Sequence, residues 1–410
     1  MFVCKKAFIR EEHKKRKPLY HGLTTLALVI ALAFACVSPT YAQAYGVIAI
    51  STGSPPTDVS AQSAILMELE SGQVLYQKNA YERLPMASTT KIMTALVALE
   101  HMALSTLIRV SPLAVGIEGS SVYLYADETL TLEELLYAML LESANDAAAA
   151  IAIAVGGSID GFAQLMNQKA TDLGLTDTHF TNPHGLDHDE HYTTAKELAL
   201  IAAEVLRRPE LTTITSTRQK NISHGGAQGI RLLINHNKLL RSCDGCIGMK
   251  TGFTKRSGRC LVSAAERDGM TLIAVTLNAP NDWHDHETLL DYGFSIYESV
   301  TLCEAGDYRA PLWMESGTQS YVMVENKDNL TVSLPVARGE IQVTVELPRF
   351  EFAPIAANEQ VGQLVYRLCR TDGSKVVVGT VPLYASYGVE EIDYSWSLWE
   401  RIKCFFHADD

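Results

Sequence analysis

The sequence predicts an α+β domain followed by a small all-β domain. Two β-hairpin patterns, at residues 60–78 and 261–277, enclose a block of helical patterns. Beyond residue 306, short β-rich runs alternate with turn residues and show no convincing helical period. We therefore expect strands from both ends of the first region to pair into one antiparallel sheet against which the helices pack. A chain of 410 residues is long enough for two such cores.

The first 44 residues form a predicted export signal. Basic side chains as far as Lys17 precede an uncharged apolar run from Leu23 to Val37, and Ala42-Gln43-Ala44 supplies the small residues of a cleavage site. We expect cleavage after Ala44. The alternative is an uncleaved membrane anchor, for which the apolar run is short because a span needs ~20 residues.

The first domain, assigned to residues 45–305, has two hairpins and several helices between and after them. The hairpin strands alternate in hydrophobicity, and Thr131 is a predicted helix cap with acidic residues in the following turn. The predicted elements are the hairpin Ala64–Glu68 with Gln73–Tyr76, a helix Thr89–Leu104, a helix after Thr131, an all-round buried helix Ala147–Val155, the hairpin Leu261–Ala265 with Met270–Leu277, and a helix Glu287–Tyr297.

The predicted all-β domain covers residues 306–388 and is followed by a tail, residues 389–410. The expected strands are Tyr321–Val324, Thr331–Leu334, Ile341–Val345 and Lys375–Val378. In the tail, Trp396, Trp399, Ile402 and Phe406 recur at spacings of three and four, with charged residues mostly off that stripe. This pattern is typical of an amphipathic helix that lies in a membrane interface, although a helix packed on its own domain would fit it too.

Charge and cysteine content exclude several classes of protein. The first 44 residues carry a net +5, and the rest of the chain has 27 basic and 45 acidic residues, a net −18. Such a body would repel a phosphate backbone, so we expect no nucleic-acid binding. Six cysteines beyond the signal are too few for a disulfide scaffold. The pair Cys243 and Cys246 could be two thiols, a local disulfide, a redox pair or half of a zinc site.

Three short motifs in chain order carry the chemistry. Ser88-Thr89-Thr90-Lys91 is an S-x-x-K motif, Ser143-Ala144-Asn145 is S-x-N, and Lys250-Thr251-Gly252 is K-T-G. Three residues apart on a helix, Ser88 and Lys91 lie on one face within hydrogen-bond reach. A serine needs a base to attack a carbonyl, and a lysine can be that base when burial and a second cation such as Lys250 lower its pKa. The start of the helix also offers backbone N–H groups to an oxyanion.

The chain resembles the low-molecular-mass penicillin-binding proteins, which are serine D-alanyl-D-alanine carboxypeptidases of the D-Ala-D-Ala carboxypeptidase A type. The resemblance extends from about residue 60 to the C-terminus, including the β-rich region and the tail. The stretches that carry it are Ser71–Tyr76, Leu84–Lys91, Ser143–Ala148, Asn182–Leu186 and Lys250–Thr254. It implies a serine β-lactamase/transpeptidase-like catalytic fold, peptidoglycan stem peptides as substrates, acylation by β-lactam antibiotics, and a location at the outer face of the cytoplasmic membrane. It implies no cofactor and no metal.

The resemblance also assigns roles to the motif residues. Ser88 attacks the carbonyl between two D-Ala residues, and Lys91 takes its proton. Ser143 relays a proton toward the leaving amine together with Lys250, while Asn145 holds the substrate amide. The substrate-binding set is Asn145, Lys250, Thr251, Gly252 and Phe253, of which Lys250 and Thr251 recognise the terminal carboxylate and the backbone N–H of Phe253 joins that of Ser88 in the oxyanion hole.

Several alternatives remain beside this interpretation. The spacing of His184, His188 and His191 invites a metal site, but Pro183 and Gly185 break any helix that would align them. A class A β-lactamase would need a deacylating Glu where Thr181–Leu186 has no acid. A D,D-endopeptidase uses the same serine machinery, and a non-catalytic wall-binding protein would be expected to lose the motif residues. His236 stands where some relatives have an Arg near the substrate carboxylate, and we expect His284 and His286 at the surface.

Overall fold

A computed structural model of the protein describes residues 54–224, 229–370 and 373–392. The predicted export signal and most of the predicted tail lie outside the described residues. The helices are α1 (Lys91–His101), α2 (Leu132–Leu141), α3 (Asn145–Gly156), α4 (Ile159–Asp172), α5 (Ala195–Leu206), α6 (Pro209–Ser216), α7 (Leu239–Ser242) and α8 (Asp282–Ile296). The strands are β1 (Ser63–Glu68), β2 (Val74–Lys78), β3 (Leu107–Arg109), β4 (Thr129–Thr131), β5 (Gln219–Ser223), β6 (Ile230–Ile234), β7 (Cys246–Thr254), β8 (Gly258–Arg267), β9 (Met270–Leu277), β10 (Tyr297–Cys303), β11 (Arg309–Glu315), β12 (Tyr321–Asn326), β13 (Leu330–Pro335), β14 (Ile341–Glu346), β15 (Phe350–Phe352), β16 (Gln360–Cys369) and β17 (Lys375–Ala385).

The central sheet joins strands from both ends of the first region, as predicted. Its order is β2-β1-β9-β8-β7, and every neighbouring pair is antiparallel. The first hairpin meets the second where β1 pairs with β9, with Ile65 opposite Val275. This pairing over more than 200 positions of sequence leaves β7, the strand that carries the K-T-G motif, as an edge of the sheet.

The helices form the main apolar core against one face of this sheet. Thr131 caps α2 as predicted, since its hydroxyl accepts from the N–H of Glu134 and the Glu134 carboxylate accepts from the N–H of Thr131 in a capping box. The alanine-rich α3 is buried over most of its length because it packs against α2 on one side and α4 on the other.

The other face of the sheet is covered by α8, which begins five residues earlier than predicted. His284 is exposed, as expected. The expectation for His286 was wrong, because that imidazole is fully buried between Ser263 of β8 and Thr276 of β9 and bonds to both hydroxyls.

The C-terminal part is β-rich, which confirms the predicted fold class. A six-stranded sheet runs in the order β14-β16-β17-β12-β11-β15, and its apolar face forms a separate core. The domain boundary at 305/306 stays a prediction: β10, which lies before it, pairs with β13, which lies after it. Within the described ranges no single helix is long and apolar enough to cross a membrane; α3 and α4 pass that test only as a pair, bent by 81°.

Candidate active site

Ser88 lies in a tight turn at the entrance to α1. A 3-10 helix, Ala87–Thr90, precedes α1, so the S-x-x-K motif spans the junction of the two. Ala87 has a positive φ of 48°, a left-handed conformation that is costly for any residue except glycine. The turn is held by side chains, because the Thr89 and Thr90 hydroxyls donate to the carbonyls of Met86 and Ala87 at 2.6 and 2.8 Å.

Lys91 is completely buried, and its amine points at the nucleophile. Nζ lies 2.9 Å from Ser88 Oγ and 2.7 Å from Asn145 Oδ1, and it also donates to the backbone carbonyl of His184. The structure therefore places the two residues of the S-x-x-K motif in direct contact. The carbonyl of His184 could not be found from residue types alone, because a backbone oxygen leaves no mark in the sequence.

Burial is the main reason that the pKa of Lys91 lies well below its usual range. Removal from water disfavours the charged amine, and the nearby positive charge of Lys250 lowers the pKa further. Asp146 acts in the opposite direction. The lowered pKa favours the neutral amine, which is the form that accepts a proton.

The S-x-N motif lies between α2 and α3. Ser143 is buried with a positive φ of 62°, and Asn145 begins α3 with only 4% of its surface exposed. The Asn145 side chain bridges two elements: Oδ1 accepts from Lys91 and Nδ2 donates to the carbonyl of Glu118 at 2.5 Å. Asn145 was expected to hold the substrate amide, which stays a prediction; in the structure its side chain links Lys91 to the loop that contains Glu118.

The K-T-G motif lies on β7, the edge strand. Lys250 is 1% exposed, and its amine bonds to Thr251 O at 2.8 Å. Burial lowers the pKa of Lys250 to about 7. Thr251 and Gly252 are partly exposed on the same strand, and Phe253 is 64% exposed.

Two glycines allow the nucleophile turn to be enclosed on both sides. A Cβ at Gly252 would lie 3.1 Å from the amide nitrogens of Ser88 and Thr89, which shows how closely β7 approaches the start of the helix. A Cβ at Gly185, where φ is +87°, would lie 1.9 Å from the Ala87 oxygen. Any side chain at Gly185 would therefore displace the turn that holds Ser88.

His191 belongs to the site, although the sequence offered it only as a metal candidate. The N–H of Thr181 donates to its Nδ1 at 3.0 Å, so Nε2 carries the proton and donates to Thr90 Oγ1 at 2.7 Å. His184 makes a different contact: its ring nitrogen accepts from the N–H of Leu186. Burial lowers the pKa of both imidazoles, His184 and His191, to about 3. No metal-ligating group of three or more side chains occurs in the described part of the chain.

His236 and the cysteine pair, which the sequence also singled out, have the following surroundings in the structure. His236 is about half exposed, and its Nε2 lies 3.1 Å from the Glu142 carboxylate, next to Ser143. Cys243 and Cys246 are free thiols that form no disulfide; Cys243 precedes β7 and Cys246 begins it. Burial raises the pKa of Cys246 to about 11, so this thiol is protonated near neutral pH.

Comparison with known proteins decides what kind of protein carries this site. A family model described as D-alanyl-D-alanine carboxypeptidase, the peptidase S11 family, matches residues 49–281. The chain belongs to this family. It is a serine-type D-Ala-D-Ala carboxypeptidase, a penicillin-binding protein of peptidoglycan metabolism, which confirms the resemblance read from the motifs.

Individual relatives cover most of the chain. The carboxypeptidase is 33% identical over 319 residues to the D-alanyl-D-alanine carboxypeptidase DacF of Bacillus subtilis, a match that covers 75% of this chain and 81% of the relative. It is 30% identical over 403 residues to DacA of Escherichia coli, with 93% and 96% covered. Among solved structures, penicillin binding protein 5 of Haemophilus influenzae aligns with a TM-score of 0.66 at 28% identity, over 83% of this chain and all of that one.

Proposed function

We propose that this carboxypeptidase removes the terminal D-alanine from peptidoglycan stem pentapeptides through an acyl-enzyme on Ser88. The single observation that carries the proposal is the set of hydrogen bonds around Lys91 Nζ. The amine has three neighbours: the side-chain oxygen of Asn145, the carbonyl of His184 and, at 2.9 Å, the hydroxyl of Ser88.

This arrangement supports Lys91 as the base that activates Ser88. A neutral amine has two N–H bonds and one lone pair. The carbonyl-type oxygens of Asn145 and His184 can only accept, so they take the two N–H bonds, and the lone pair is left for the Ser88 O–H. The serine proton then passes to Nζ as Oγ attacks the scissile carbonyl.

We assign the remaining motif residues the roles that the resemblance to the family implies. Ser143 relays the proton toward the leaving D-alanine amine in concert with Lys250, and Lys250 with Thr251 binds the substrate carboxylate. Asn145 contacts the substrate amide. The N–H groups of Ser88 and Phe253 stabilise the oxyanion, a role favoured by the close approach of Gly252 to Ser88 N.

Water then hydrolyses the acyl-enzyme, and a penicillin acylates Ser88 to give a long-lived adduct. A β-lactamase would turn the adduct over with a carboxylate that activates water. The first acid after the Asn182-Pro183-His184 stretch, Asp187, accepts a hydrogen bond from Thr254 Oγ1 at 2.9 Å. That contact favours a structural role for Asp187, and hence slow deacylation.

Location and domain organisation complete the proposal. Residues 1–44 direct export and are cleaved after Ala44, residues 45–305 carry catalysis, and residues 306–388 form the second domain. Residues 389–410 bind the outer face of the cytoplasmic membrane as an amphipathic helix.

The experiment that tests this function is D-alanine release from a peptide that ends in Lys-D-Ala-D-Ala. We expect release of D-alanine by the wild type and none by Ser88→Ala. The substitution removes the nucleophile, and water can replace the lost hydroxyl as a partner of Lys91. Release that persists in Ser88→Ala would refute the acyl-serine mechanism. A wild type that cleaves crosslinked dimers but spares the pentapeptide would show a D,D-endopeptidase instead, and rapid turnover of penicillin would show a β-lactamase.

A further inference from the structure

A row of exposed aromatic side chains crosses three strands of the C-terminal sheet. Trp313 on β11 lies opposite Tyr321 on β12 and opposite Phe350 on β15, and Phe352 follows on β15. We call these four residues the aromatic ladder. They are 57%, 43%, 48% and 60% exposed, in that order, so a large part of each ring faces solvent. Single exposed apolar residues are ordinary, but a contiguous aromatic row marks a binding surface.

The ladder is an ordered surface. Trp313 and Tyr321 meet edge to face with 6.0 Å between ring centroids, and Phe350 and Phe352 do the same at 5.6 Å. On the opposite face of the same strands, Leu312, Met314 and Val322 fill the core. The alternation of side chains along a strand therefore separates a core face from an aromatic outer face, and the four ladder residues are not part of the buried core.

The described chain ends beside this ladder. The N–H of Ile392 donates to Ser316 O at 2.7 Å, and Glu391 pairs with Gly317. Ser316 and Gly317 belong to the turn that joins β11 to β12, and Trp313 and Tyr321 flank that turn. The segment that follows Ile392, with its stripe of Trp396, Trp399, Ile402 and Phe406, thus starts from the same end of the sheet as the ladder.

We propose that the aromatic ladder is a second membrane-contacting surface, which enters the lipid headgroup region beside the tail. The proposal rests on the membrane binding of the tail proposed above. Trp and Tyr are the residues that concentrate at membrane–water interfaces, since the ring is apolar while the indole N–H or phenol O–H stays hydrated. Two aromatic surfaces that start from one end of a domain can meet the same lipid surface at once, and the second contact forms at high effective concentration.

The test uses the full chain and measures sedimentation with vesicles of phosphatidylcholine and of phosphatidylethanolamine with phosphatidylglycerol. The ladder variant is Trp313→Ser with Phe350→Ser. The matched control is Val343→Ser with Val345→Ser, two residues of β14 at the opposite edge of the same sheet that are 54% and 42% exposed. We expect the ladder variant to partition roughly tenfold less strongly on both lipids, with little dependence on salt because the contact is apolar, and the control to match the wild type.

Other results would overturn the proposal. Partitioning of the ladder variant within twofold of the wild type would refute it. Tighter vesicle binding by the ladder variant would show that the tail itself covers the ladder in solution. A dimer lost in the ladder variant, with unchanged partitioning, would show that a second copy covers it.

Two readouts separate this proposal from the earlier ones. D-alanine release from a soluble peptide should be equal in the wild type and the ladder variant, so loss of catalysis and loss of the ladder contact cannot be confused. A tail variant, Trp396→Ser with Trp399→Ser, tests the anchor. If the tail variant alone loses vesicle binding, the anchor stands and the ladder proposal fails.

Discussion

Replacing Lys250 with Met should abolish carboxypeptidase activity and weaken the rise of folding stability between pH 7 and pH 10. Burial lowers the pKa of Lys250 from 10.5 to about 7 in the folded protein. Between these two values the unfolded chain holds a proton that the folded protein does not. Stability attributable to this group therefore rises as the pH increases from 7 to 10, and it is lost as the pH falls through the folded-state pKa.

The magnitude follows from the size of the pKa shift. One pKa unit corresponds to about 1.4 kcal/mol, so the complete shift is worth about 5 kcal/mol. Since the titration is incomplete at both ends of the interval, about 3–4 kcal/mol of it should appear between pH 7 and pH 10. Met fills a similar volume without a charge and removes the contribution of Lys250.

The assay is urea unfolding of the wild type and Lys250→Met at both pH values, followed by circular dichroism at 222 nm. Helix signal reports the catalytic part, because all α-helices among the described residues end by Ile296. Thiols such as Cys260, whose pKa burial raises to about 11, act in the opposite direction in both proteins and cancel in the difference. Parallel pH dependences in the two proteins would refute the claim that Lys250 is held in a dry site.

Three further predictions concern the surroundings of Ser88. Asn145→Asp places a carboxylate on Lys91 Nζ, which raises the pKa of the amine; penicillin acylation at pH 7 should fall and recover at higher pH, and an unshifted pH profile would contradict this. Gly185→Ala should displace the carbonyl of Ala87 and slow acylation on the order of a hundredfold, while full activity would show that the turn can yield. His191→Ala should lower kcat about tenfold with KM unchanged, and His191→Gln, which keeps an N–H donor, should restore part of the lost kcat. The wild-type rate should show no titration of His191 between pH 5 and 7, because the pKa of this imidazole is about 3.

The fold was largely predictable because its strongest signals are local and periodic. The hairpins β1–β2 and β8–β9 and the capped helix α2 appear where their patterns place them. The 3-10 turn ahead of α1 was missed, since its hydrogen bonds and the positive φ of Ala87 depend on contacts with segments far along the chain. Strands β11 and β16 were also missed, as neither has the regular alternation that marked their neighbours.

The candidate site was predictable only at the level of motif residues. The sequence names Ser88, Lys91, Asn145 and Lys250, and the structure brings the first three into direct hydrogen-bonded contact. The sequence could not identify the backbone carbonyls of His184 and Glu118 as part of the site. Every residue has a carbonyl, and only the fold determines which ones face the site. His286 was misjudged for a related reason: an imidazole between two hydroxyl groups is satisfied in the core, and those hydroxyls come from β8 and β9, not from the helix that carries His286.

Gly185 and Gly252 lie on opposite sides of the turn that holds Ser88, and each allows another segment to pack closely against that turn. Gly252 lets β7 approach the amides of Ser88 and Thr89, and Gly185 lets the His184 segment reach the carbonyl of Ala87. The same His184 segment delivers the carbonyl that accepts from Lys91, so a side chain at Gly185 would disturb the nucleophile and its base together. Stabilisation of the strained turn and orientation of the lysine lone pair are thus one structural requirement, which predicts that substitutions at Gly185 and Asn145 will combine non-additively.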